Sequence, residues 1–218
     1  MIYYIERIPE SGHSAKLVFF NSTTKHSLNF VHFFLAEKEK LIRKKISLFF
    51  KNCNMQIILN NQQIQQKITR LGHQLLENCF EEETIFIGGI SGNGSRLAKK
   101  LAEIIQKNSE IEVVFFEINV NKEEPWSEPI QLNIDEKMIK KGFIILVDDV
   151  VNSGKTMQYA LMKFLEQATK AIKTVALVDR QHRRYPIKTD FVGLGLSTTL
   201  KDRVEVELNE ADSKAYLI

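Results

Sequence analysis

The sequence predicts an α/β fold with a central, mainly parallel sheet and helices on both of its faces. From Met55 onward, apolar strands alternate with amphipathic helices, a pattern typical of right-handed βαβ units. Residues 143–147 are apolar without interruption, which favours a strand buried on both faces at the centre of the sheet. The composition, 44% hydrophobic and 26% charged over 218 residues, is that of a globular chain with one sizeable core.

The first predicted elements are a helix and a short strand. Asn60 or Asn61 caps a helix that extends to about Glu77. The apolar face of this helix consists of Ile64, Ile68, Leu71 and Leu75. Residues 84–87 form a strand that ends at a pair of glycines.

A glycine-containing loop, residues 91–94, leads to the second predicted helix. The buried face of this helix consists of Leu97, Leu101, Ile104 and Ile105. Residues 112–118 form the next strand. Residues 119–142 are polar and contain two prolines, which indicates a mobile loop.

The last third of the chain continues the alternation. The strand at residues 143–147 precedes a helix, which is marked by Met157, Leu161, Phe164, Leu165 and Ala168. Three further strands are predicted at residues 174–178, 191–194 and 204–208. In such sheets ligands bind beyond the carboxyl ends of the strands, so the candidate sites follow Ile87, Val147 and Val178.

The first 54 residues differ from the rest of the chain. They hold nine Lys and Arg residues against four Glu, with no Asp, whereas residues 55–218 have a net charge of −2. Residues 30–50 suit a basic helix, which can contact a membrane surface or a protein partner. The interpretation we favour is an atypical N-terminal extension, with Met55 as the hypothetical start of translation and residues 55–218 as the functional domain.

The remaining bulk features predict a cytoplasmic protein without a membrane partner. No run approaches the ~20 apolar residues of a membrane helix, and the N-terminus lacks a secretory signal. The two cysteines, Cys53 and Cys79, have no metal-ligand spacing and are expected to be reduced thiols.

The most informative segment is residues 144–156, which read IILVDDVVNSGKT. A buried strand ends in two carboxylates, Asp148 and Asp149, and a small polar turn then leads into a helix near Thr156. The backbone N–H groups of such a turn and helix N-terminus bind anions such as phosphate. Ionised carboxylates accept hydrogen bonds from sugar hydroxyls, so the segment predicts a site for a ribose 5-phosphate.

The segment also has two other interpretations. A nucleotide-hydrolysing P-loop requires glycine five positions before Gly154, where this chain has Asp149, so that motif is excluded. The second is purely structural: the acidic pair precedes a helix N-terminus that Ser153 caps.

The segment resembles the phosphoribosyl-pyrophosphate signature of the type I phosphoribosyltransferases. The resemblance implies the type I phosphoribosyltransferase fold for residues 55–218. It also implies that Asp148 and Asp149 are catalytic residues that bind the ribose hydroxyls. The residues implied to wrap the 5-phosphate are Asn152, Ser153, Gly154, Lys155 and Thr156.

A second stretch is similar to the pyrimidine-operon attenuator/uracil phosphoribosyltransferase family. It comprises ALVDRQHRRYPI at residues 176–187, DFVG at residues 190–193 and VEVEL at residues 204–208. The resemblance implies that Val178, Asp179 and Arg180 lie beside the base. Without the family, the same loop is a basic segment at the end of a strand, and a solvated turn remains the alternative.

A third match lies on the first predicted helix, where residues 69–73 read TRLGH. The pattern is similar to the Thr-Arg-x-x-His motif that this family uses in binding messenger RNA. Helical spacing places Thr69, Arg70 and His73 on one side, where Arg and His can contact phosphates. An ordinary polar helix face is the alternative, and the near-neutral charge of residues 55–218 argues against strong nonspecific RNA affinity.

The expected pyrophosphate site departs from the family. Where the family reads Lys-Thr-Arg-Gly after its first strand, this chain has Ser91, Gly92, Asn93 and Gly94. The remaining candidates for the pyrophosphate are Gly89, Arg96 and Lys122. Cations aimed at the leaving group supply much of the rate in such reactions, so the loss of two of them is serious.

Two functions are therefore expected from the sequence. The first is an enzyme that joins a nucleobase, with uracil favoured, to phosphoribosyl pyrophosphate with the help of Mg²⁺. The second is a ligand-sensing regulator that binds RNA and is catalytically weak or inactive. The enzyme is the favoured interpretation, and the resemblance implies a homo-oligomer.

Overall fold

The computed structural model describes residues 2–5, 17–20, 55–197, 202–209 and 212–218. They belong to two compact units, Met1–Cys53 and Asn54–Ile218. In the first unit, strand β1 (Ile2–Ile5) pairs antiparallel with β2 (Leu17–Phe20). The basic helix considered for residues 30–50 lies outside the described residues.

The described part of the second unit contains three helices. They are α1 (Asn61–Cys79), α2 (Asn93–Asn108) and α3 (Lys155–Leu165). Helix α1 begins after Asn60, whose side chain accepts a hydrogen bond of 2.9 Å from the amide of Gln63. The amide of Asn60 donates in return to Oε1 of Gln63 at 3.0 Å, so the two residues form a capping box. The predicted start of this helix is confirmed.

Six strands form the main sheet of the second unit. They are β4 (Thr84–Ile90), β5 (Glu112–Asn119), β6 (Gln131–Leu132), β7 (Phe143–Val151), β8 (Ala171–Asp179) and β9 (Phe191–Gly195). Their order is β6-β5-β4-β7-β8-β9, and all neighbours are parallel except the edge strand β6. The predicted, mainly parallel sheet is confirmed, with β7 near its centre.

Alternate residues of the central strands pack on opposite faces of this sheet. Ile145 and Val147 lie in a cluster with the apolar faces of α1 and α2. Ile144 and Leu146 lie in a second cluster, with α3. Helices therefore cover both faces, as predicted. All four side chains are fully buried, and each contributes about 1.5–3 kcal/mol of hydrophobic stabilisation.

A smaller antiparallel sheet consists of β3 (Gln56–Leu59), β10 (Val204–Glu207) and β11 (Lys214–Leu217), in the order β10-β11-β3. Only β10 is predicted from the sequence. The other two strands, QIIL and KAYL, lack the apolar–polar alternation of VEVE in β10, so their pattern does not distinguish them from loops. Pairing of Tyr216 with Ile57 and with Glu205 joins the two ends of the unit.

Several predicted boundaries were wrong. Strand β4 continues to Ile90 instead of ending at residue 87, and β7 continues to Val151 instead of residue 147. Helix α3 ends at Leu165, so Ala168 lies beyond it. The segment 119–142 contains the short strand β6. Pairing with β8 explains the extension of β7, because polar residues remain in a strand when a neighbour satisfies their backbone.

No helix in the described part of the chain combines the length and the apolarity needed to cross a bilayer.

Candidate functional site

The adjacent carboxylates Asp148 and Asp149 lie in the last part of β7. Asp148 pairs in register with Ala176 of β8, so the backbone of the pair is fixed by the sheet. The Asp148 residue is only 5% exposed, and Asp149 is half-buried. Both carboxylates therefore lie at the carboxyl end of the central strand, where ligands bind in open α/β sheets.

Burial and like charge shape the electrostatics of this pair. Burial raises the pKa of Asp148 well above its ordinary value, and the neighbouring charge of Asp149 raises it further. The ammonium of Lys122 partly opposes this rise, with its Nζ atom 3.8 Å from Oδ1 of Asp148 and 3.9 Å from Oδ1 of Asp149. The amide of Asp149 also donates a hydrogen bond of 3.0 Å to Oδ1 of Asp148.

A tight turn joins β7 to α3 and contains the predicted phosphate loop. The loop consists of Asn152, Ser153, Gly154, Lys155 and Thr156. Gly154 is the N-cap of α3 and has a φ of 81°, a left-handed conformation that glycine adopts without strain. The N-cap residue Gly154 has no side chain to cap the helix, and Oγ of Ser153 accepts a hydrogen bond of 3.3 Å from the amide of Lys155, the first residue of α3. The amides of Arg184 and Tyr185 donate to the carbonyl oxygen of Ser153 at 3.0 and 3.2 Å and anchor the loop.

The acidic pair and the phosphate loop open into one cleft of about 730 Å³. Of the predicted site residues, the cleft brings together Asn93, Lys122, Asp148, Asp149, Asn152, Ser153, Gly154, Lys155 and Thr156. Two carboxylates next to the N-terminus of a helix can accept hydrogen bonds from a diol and bind an anion beside it.

Another wall of the cleft is acidic and was not predicted as part of the site. It is formed by Glu205 and Glu207 of β10 and by Tyr216 of β11, with Nε of the neighbouring Arg203 3.7 Å from Oε1 of Glu205. The hydroxyl of Tyr216 donates a hydrogen bond of 2.6 Å to Oε1 of Glu207, and it lies 3.3 Å from Oε2 of Glu205. The bond to Glu207 is the main reason why the pKa of Tyr216 is raised, so the phenol stays protonated. The alternation in VEVEL places both glutamates on one face of the strand. This pattern was the signal in the sequence that could have predicted the acidic wall.

The predicted pyrophosphate loop is only partly in this cleft. Gly89 lies within β4 and Ser91 in the link to α2. Gly92 has a φ of 94°, a conformation that the threonine of the family pattern would not readily adopt. Asn93 donates a hydrogen bond of 2.7 Å from its side chain to the carbonyl oxygen of Val206.

Three further contacts of this loop describe the surroundings of the predicted pyrophosphate site. Arg96 donates to the carbonyl oxygen of Leu208 at 3.0 Å and lines a separate cavity of about 750 Å³. Gly94 packs tightly against β7, since a Cβ placed on it would lie 3.2 Å from Oδ1 of Asp148. Glu117, paired in register with Gly89, accepts a hydrogen bond from Ser95 and adds a carboxylate beside the loop. Sequence reasoning missed Glu117, because it joins the loop only through the sheet.

Comparison with known proteins decides the family. The phosphoribosyl transferase domain family matches residues 54–208. The chain belongs to this family. It is similar to the Bifunctional protein PyrR of Haemophilus ducreyi, with 32% identity over 72% of this chain and 91% of the relative. It is also similar to the Bifunctional protein PyrR of Bacillus mycoides, with 29% identity over 72% of this chain and 93% of that relative.

Solved phosphoribosyltransferase structures share the fold. The hypoxanthine phosphoribosyltransferase of Trypanosoma cruzi aligns with a TM-score of 0.58 and 15% identity, over 73% of this chain and 95% of that one. A hypoxanthine-guanine phosphoribosyltransferase of Bacillus anthracis aligns with a TM-score of 0.54 and 24% identity, over 66% and 84% of the two chains. The predicted type I phosphoribosyltransferase fold is thereby confirmed.

The predicted base-binding residues of this phosphoribosyltransferase domain are buried where β8 ends. The side chain of Val178 is fully buried in the core. Asp179 accepts hydrogen bonds from the amide of Gln181, at 2.9 Å, and from Arg183. Arg180 donates to Oδ1 of Asn152 at 2.9 Å and lines a smaller cavity of about 320 Å³ that also contacts the phosphate loop. Burial lowers the pKa of Arg180.

The predicted RNA-contacting residues of the domain lie on α1. The hydroxyl of Thr69 donates to the carbonyl oxygen of Gln65 within the helix at 3.0 Å, and His73 is exposed. The guanidinium of Arg70 donates to two carbonyl oxygens of β9, those of Val192 and Gly193. Arg70 therefore has a structural role, and the sequence offered no signal for it.

Proposed function

We propose that this chain is a phosphoribosyltransferase that joins a nucleobase to phosphoribosyl pyrophosphate and releases pyrophosphate, with uracil as the favoured base. The observation that supports it best is the joint position of Asp148, Asp149 and the phosphate loop in one cleft. Membership of the phosphoribosyl transferase domain family supports the reaction type. The choice of uracil rests on the resemblance of residues 176–208 to the pyrimidine-operon attenuator/uracil phosphoribosyltransferase family.

In this proposal the sugar phosphate is held at two points. Backbone N–H groups of Asn152 to Thr156, at the N-terminus of α3, bind the 5-phosphate. The carboxylates of Asp148 and Asp149 accept hydrogen bonds from the two ribose hydroxyls. Such bonds favour the ionised carboxyl and offset the burial that raises the pKa of Asp148.

The cleft also suits the Mg²⁺ that the family implies. Two neighbouring carboxylates form an oxygen-rich wall, and Mg²⁺ commonly takes one or two carboxylates together with substrate phosphates. Among the described residues, no group of three or more His, Cys, Asp or Glu side chains could hold a metal ion. A cation carried in by the pyrophosphate, next to Asp148 and Asp149, fits this arrangement. Its chemical role is to neutralise charge on the leaving group.

The rate of the proposed reaction depends on positioning and charge. Cleavage of the anomeric C–O bond develops positive charge on the sugar and negative charge on the departing pyrophosphate, and preorganised groups stabilise both. We assign the pyrophosphate to the N-terminus of α2, with Asn93 and Lys122 nearby. We assign the base to the region next to Val178, Asp179 and Arg180, with the acidic wall of Glu205, Glu207 and Tyr216 as a further candidate.

A second candidate function is a ligand-sensing regulator with weak or no turnover. The observation that favours it is the pyrophosphate loop, where Ser91 and Asn93 replace cations and Arg96 is bound to Leu208. RNA binding through Thr69, Arg70 and His73 belongs to this candidate. The hydrogen bonds of Arg70 to β9 weigh against it, because those donors are already used.

We further propose that the protein is cytoplasmic. We also propose that it forms a homo-oligomer, which rests on the family resemblance. In this proposal residues 55–218 are the functional domain, and residues 1–54 are an extension without a catalytic part. Light scattering on the full chain and on residues 55–218 tests the assembly.

The test of function is a radiolabelled assay on the full chain. It contains phosphoribosyl pyrophosphate, Mg²⁺ and, in parallel reactions, uracil, hypoxanthine, guanine, adenine or orotate. Conversion of one base to its nucleoside monophosphate, with uracil expected, is the supporting result. The Asp148→Asn, Asp149→Asn double variant is expected to lose it. The exposed Glu128→Gln serves as the control that keeps activity.

The two candidates give different outcomes in this assay. Turnover that disappears in the double variant supports the enzyme and identifies its base. Absence of turnover with every base, while calorimetry shows that phosphoribosyl pyrophosphate binds, contradicts the enzyme and favours the ligand sensor. A full chain that binds neither phosphoribosyl pyrophosphate nor any nucleoside monophosphate contradicts both.

A further inference from the structure

Glu117 lies near the carboxyl end of β5, next to the loop that leads into α2. It pairs in register with Gly89 of β4. Its carboxylate accepts a hydrogen bond from the hydroxyl of Ser95, the third residue of α2. Ser95 is only 3% exposed, so little water competes for this bond. The bond therefore joins the first turn of α2 to β5.

The main chain of Glu117 is itself fixed. Its amide donates a hydrogen bond of 2.6 Å to Oδ1 of Asn133, and its carbonyl oxygen accepts one of 3.3 Å from the amide of Asn133. One residue further along β5, the carbonyl oxygen of Ile118 accepts a hydrogen bond of 3.0 Å from the amide of Ser91. Glu117 is thus a fixed point of the sheet, to which the start of a helix can be attached.

The first turn of α2 is held by side chains further along the turn and not by its N-cap. Gly92, the N-cap residue, has no side chain and has a φ of 94°. The turn lies directly on β4, since a Cβ placed on Gly89 would be 2.5 Å from Cα of Ser95. The side chain of Asn93 donates to the carbonyl oxygen of Val206 on β10 at 2.7 Å. Ser95 and Asn93 therefore attach the turn to two different strands, β5 and β10.

The charge of Glu117 makes a direct part in binding pyrophosphate unfavourable. A carboxylate repels an anion, and the pyrophosphate is assigned to the N–H groups at the N-terminus of α2. Those N–H groups bind an anion only when they point at it, because a hydrogen bond weakens steeply as its angle departs from linearity. A favourable effect of Glu117 must therefore act through the position of Ser95.

We propose that Glu117 is a positioning residue of the pyrophosphate site, which holds Ser95 so that the first turn of α2 presents its N–H groups to the pyrophosphate. The inference rests on the proposed function and adds a residue to it. The geometry of this turn has particular weight in this chain, because Ser91 and Asn93 replace the two cations of the family pattern. Binding then relies on oriented N–H groups, which lose their effect when the turn shifts.

The sign of a charge change tests this role. Magnesium pyrophosphate is titrated by calorimetry into the full chain and into its Glu117→Ala and Glu117→Gln variants. Glu117→Ala is expected to bind it about 3–10-fold more weakly, although a negative charge is removed, because Ser95 loses its acceptor. Glu117→Gln keeps an acceptor oxygen for Ser95 and should bind within about twofold of wild type, or more tightly. A role through charge alone would make both variants bind more tightly, and that result would overturn the proposal.

Ser95→Ala removes the same hydrogen bond from the other side. It should weaken the binding of magnesium pyrophosphate at least as much as Glu117→Ala does, because the charge of Glu117 stays in place. The double variant Ser95→Ala, Glu117→Ala should match Glu117→Ala alone, since both substitutions act through one bond. Losses that add up in the double variant would show that the two residues act separately, which contradicts the proposal.

Glu112→Ala is the matched control. Glu112 is the first residue of β5, and its carboxylate also accepts a hydrogen bond from a hydroxyl, that of Thr84 on β4, at 3.0 Å. The substitution removes the same charge and the same kind of bond at the amino end of the sheet, away from the proposed pyrophosphate site. The affinity of Glu112→Ala for magnesium pyrophosphate should equal that of wild type.

Ribose 5-phosphate separates a local effect from a general loss of structure. This ligand lacks pyrophosphate and is assigned to Asp148, Asp149 and the N-terminus of α3, so every variant should bind it with wild-type affinity. If Glu117→Ala loses affinity for both ligands to the same degree, the role of Glu117 is only structural and the proposal is wrong. Glu117→Gln and Ser95→Ala decide between the same outcomes if Glu117→Ala does not fold.

A failure of the proposed function gives a different result. Wild type that binds neither ribose 5-phosphate nor magnesium pyrophosphate contradicts that function, and the inference on Glu117 falls with it. Wild type that binds ribose 5-phosphate but no magnesium pyrophosphate leaves the sugar-phosphate site intact and overturns the role of Glu117. Weaker binding of magnesium pyrophosphate by Glu117→Ala, with unchanged binding of ribose 5-phosphate and recovery in Glu117→Gln, is the supporting result.

Discussion

The guanidinium of Arg70 donates a hydrogen bond of 3.0 Å to the main-chain carbonyl oxygen of Gly193. The same nitrogen lies 2.9 Å from the carbonyl oxygen of Val192, and the ammonium of Lys67 donates to Gly193 at 3.0 Å. Helix α1 is thus tied to β9, the edge strand of the main sheet. Edge strands expose unpaired carbonyl groups, and two cations of α1 satisfy them here.

Replacement of Arg70 should therefore reduce stability. For Arg70→Met we expect a loss of about 1–2 kcal/mol, because two carbonyl oxygens of β9 lose a charged donor, and solvent around the exposed Arg70 keeps the loss at the lower part of the range for such bonds. In a domain of this size that corresponds to a fall in Tm of roughly 2–8 °C, measured by calorimetry. The exposed neighbour His73→Gln is the control, with an effect within about 0.5 kcal/mol. Equal Tm values for the two variants would contradict the structural role of Arg70.

Gly154→Ala should distort the proposed phosphate loop. The residue has a φ of 81°, and a left-handed conformation costs roughly 1–2 kcal/mol for a residue with a Cβ. That Cβ would also lie 2.7 Å from Cγ2 of Ile187. We expect a lower Tm and at least about tenfold weaker binding of ribose 5-phosphate, equivalent to 1.4 kcal/mol.

Gly195→Ala is the matched control for that substitution. Its added Cβ would meet only the flexible amide of Gln181, at 3.2 Å, and its φ is not in the left-handed region. The Tm of Gly195→Ala and its affinity for ribose 5-phosphate should both stay near those of wild type. Unchanged ligand affinity in Gly154→Ala would mean that the turn before α3 does not bind the phosphate.

The arrangement of strand, acidic pair, turn and helix around the proposed phosphate loop was predictable because its parts are contiguous. The string IILVDDVVNSGKT contains a strand, two carboxylates and a turn in sequence order, so local chemistry was enough to place Asp148 next to Gly154. The buried faces of α1 and α2 followed equally from periodicity, except that Ile104 is only partly buried. The extension of β7 through Asp148 and Asp149 could not be predicted from the sequence, because it depends on pairing with β8.

Features that depend on distant residues were not predictable. Tyr216 reaches Glu207 only because β11 pairs with β10, and β11 has four residues without a distinctive pattern. The place of Arg96 in the sequence predicts a pyrophosphate ligand, and this stays a prediction. Its hydrogen bond to the carbonyl oxygen of Leu208, 112 residues away along the chain, could not be predicted. Single-sequence patterns contain no information on such pairs.

Asp148→Asn should stabilise the protein while removing its proposed function. Burial and Asp149 raise the pKa of Asp148 in the folded state above the ordinary value of 3.8. The folded state therefore binds the proton more tightly than the unfolded state, and wild-type stability falls as the pH rises through the folded-state pKa. Asparagine has no such dependence. The variant's advantage in urea unfolding should be larger at pH 8 than at pH 4.

The exposed Glu128→Gln controls for the loss of one negative charge in that experiment and should show no pH-dependent advantage. An Asp148→Asn variant that is less stable than wild type at pH 8 would show that Lys122 and the local hydrogen bonds outweigh burial. The inference that the buried Asp148 carboxylate lowers the stability of the protein would then be wrong.

A cation restored to the pyrophosphate loop should increase turnover. Ser91 stands where the family pattern has lysine, in the link between β4 and α2, and its backbone amide donates to the carbonyl oxygen of Ile118 at 3.0 Å. Because the main chain makes this bond, Ser91→Lys keeps it and adds an ammonium near the proposed leaving group. A preorganised donor contributes about 10²–10³ in rate, and an added, mobile lysine should recover roughly tenfold in kcat/KM.

Gln106→Lys, exposed near the C-terminus of α2, adds the same charge far from the cleft and should leave kcat/KM unchanged. Ser91→Lys activity at the level of Gln106→Lys would mean that the pyrophosphate leaves from another part of the cleft.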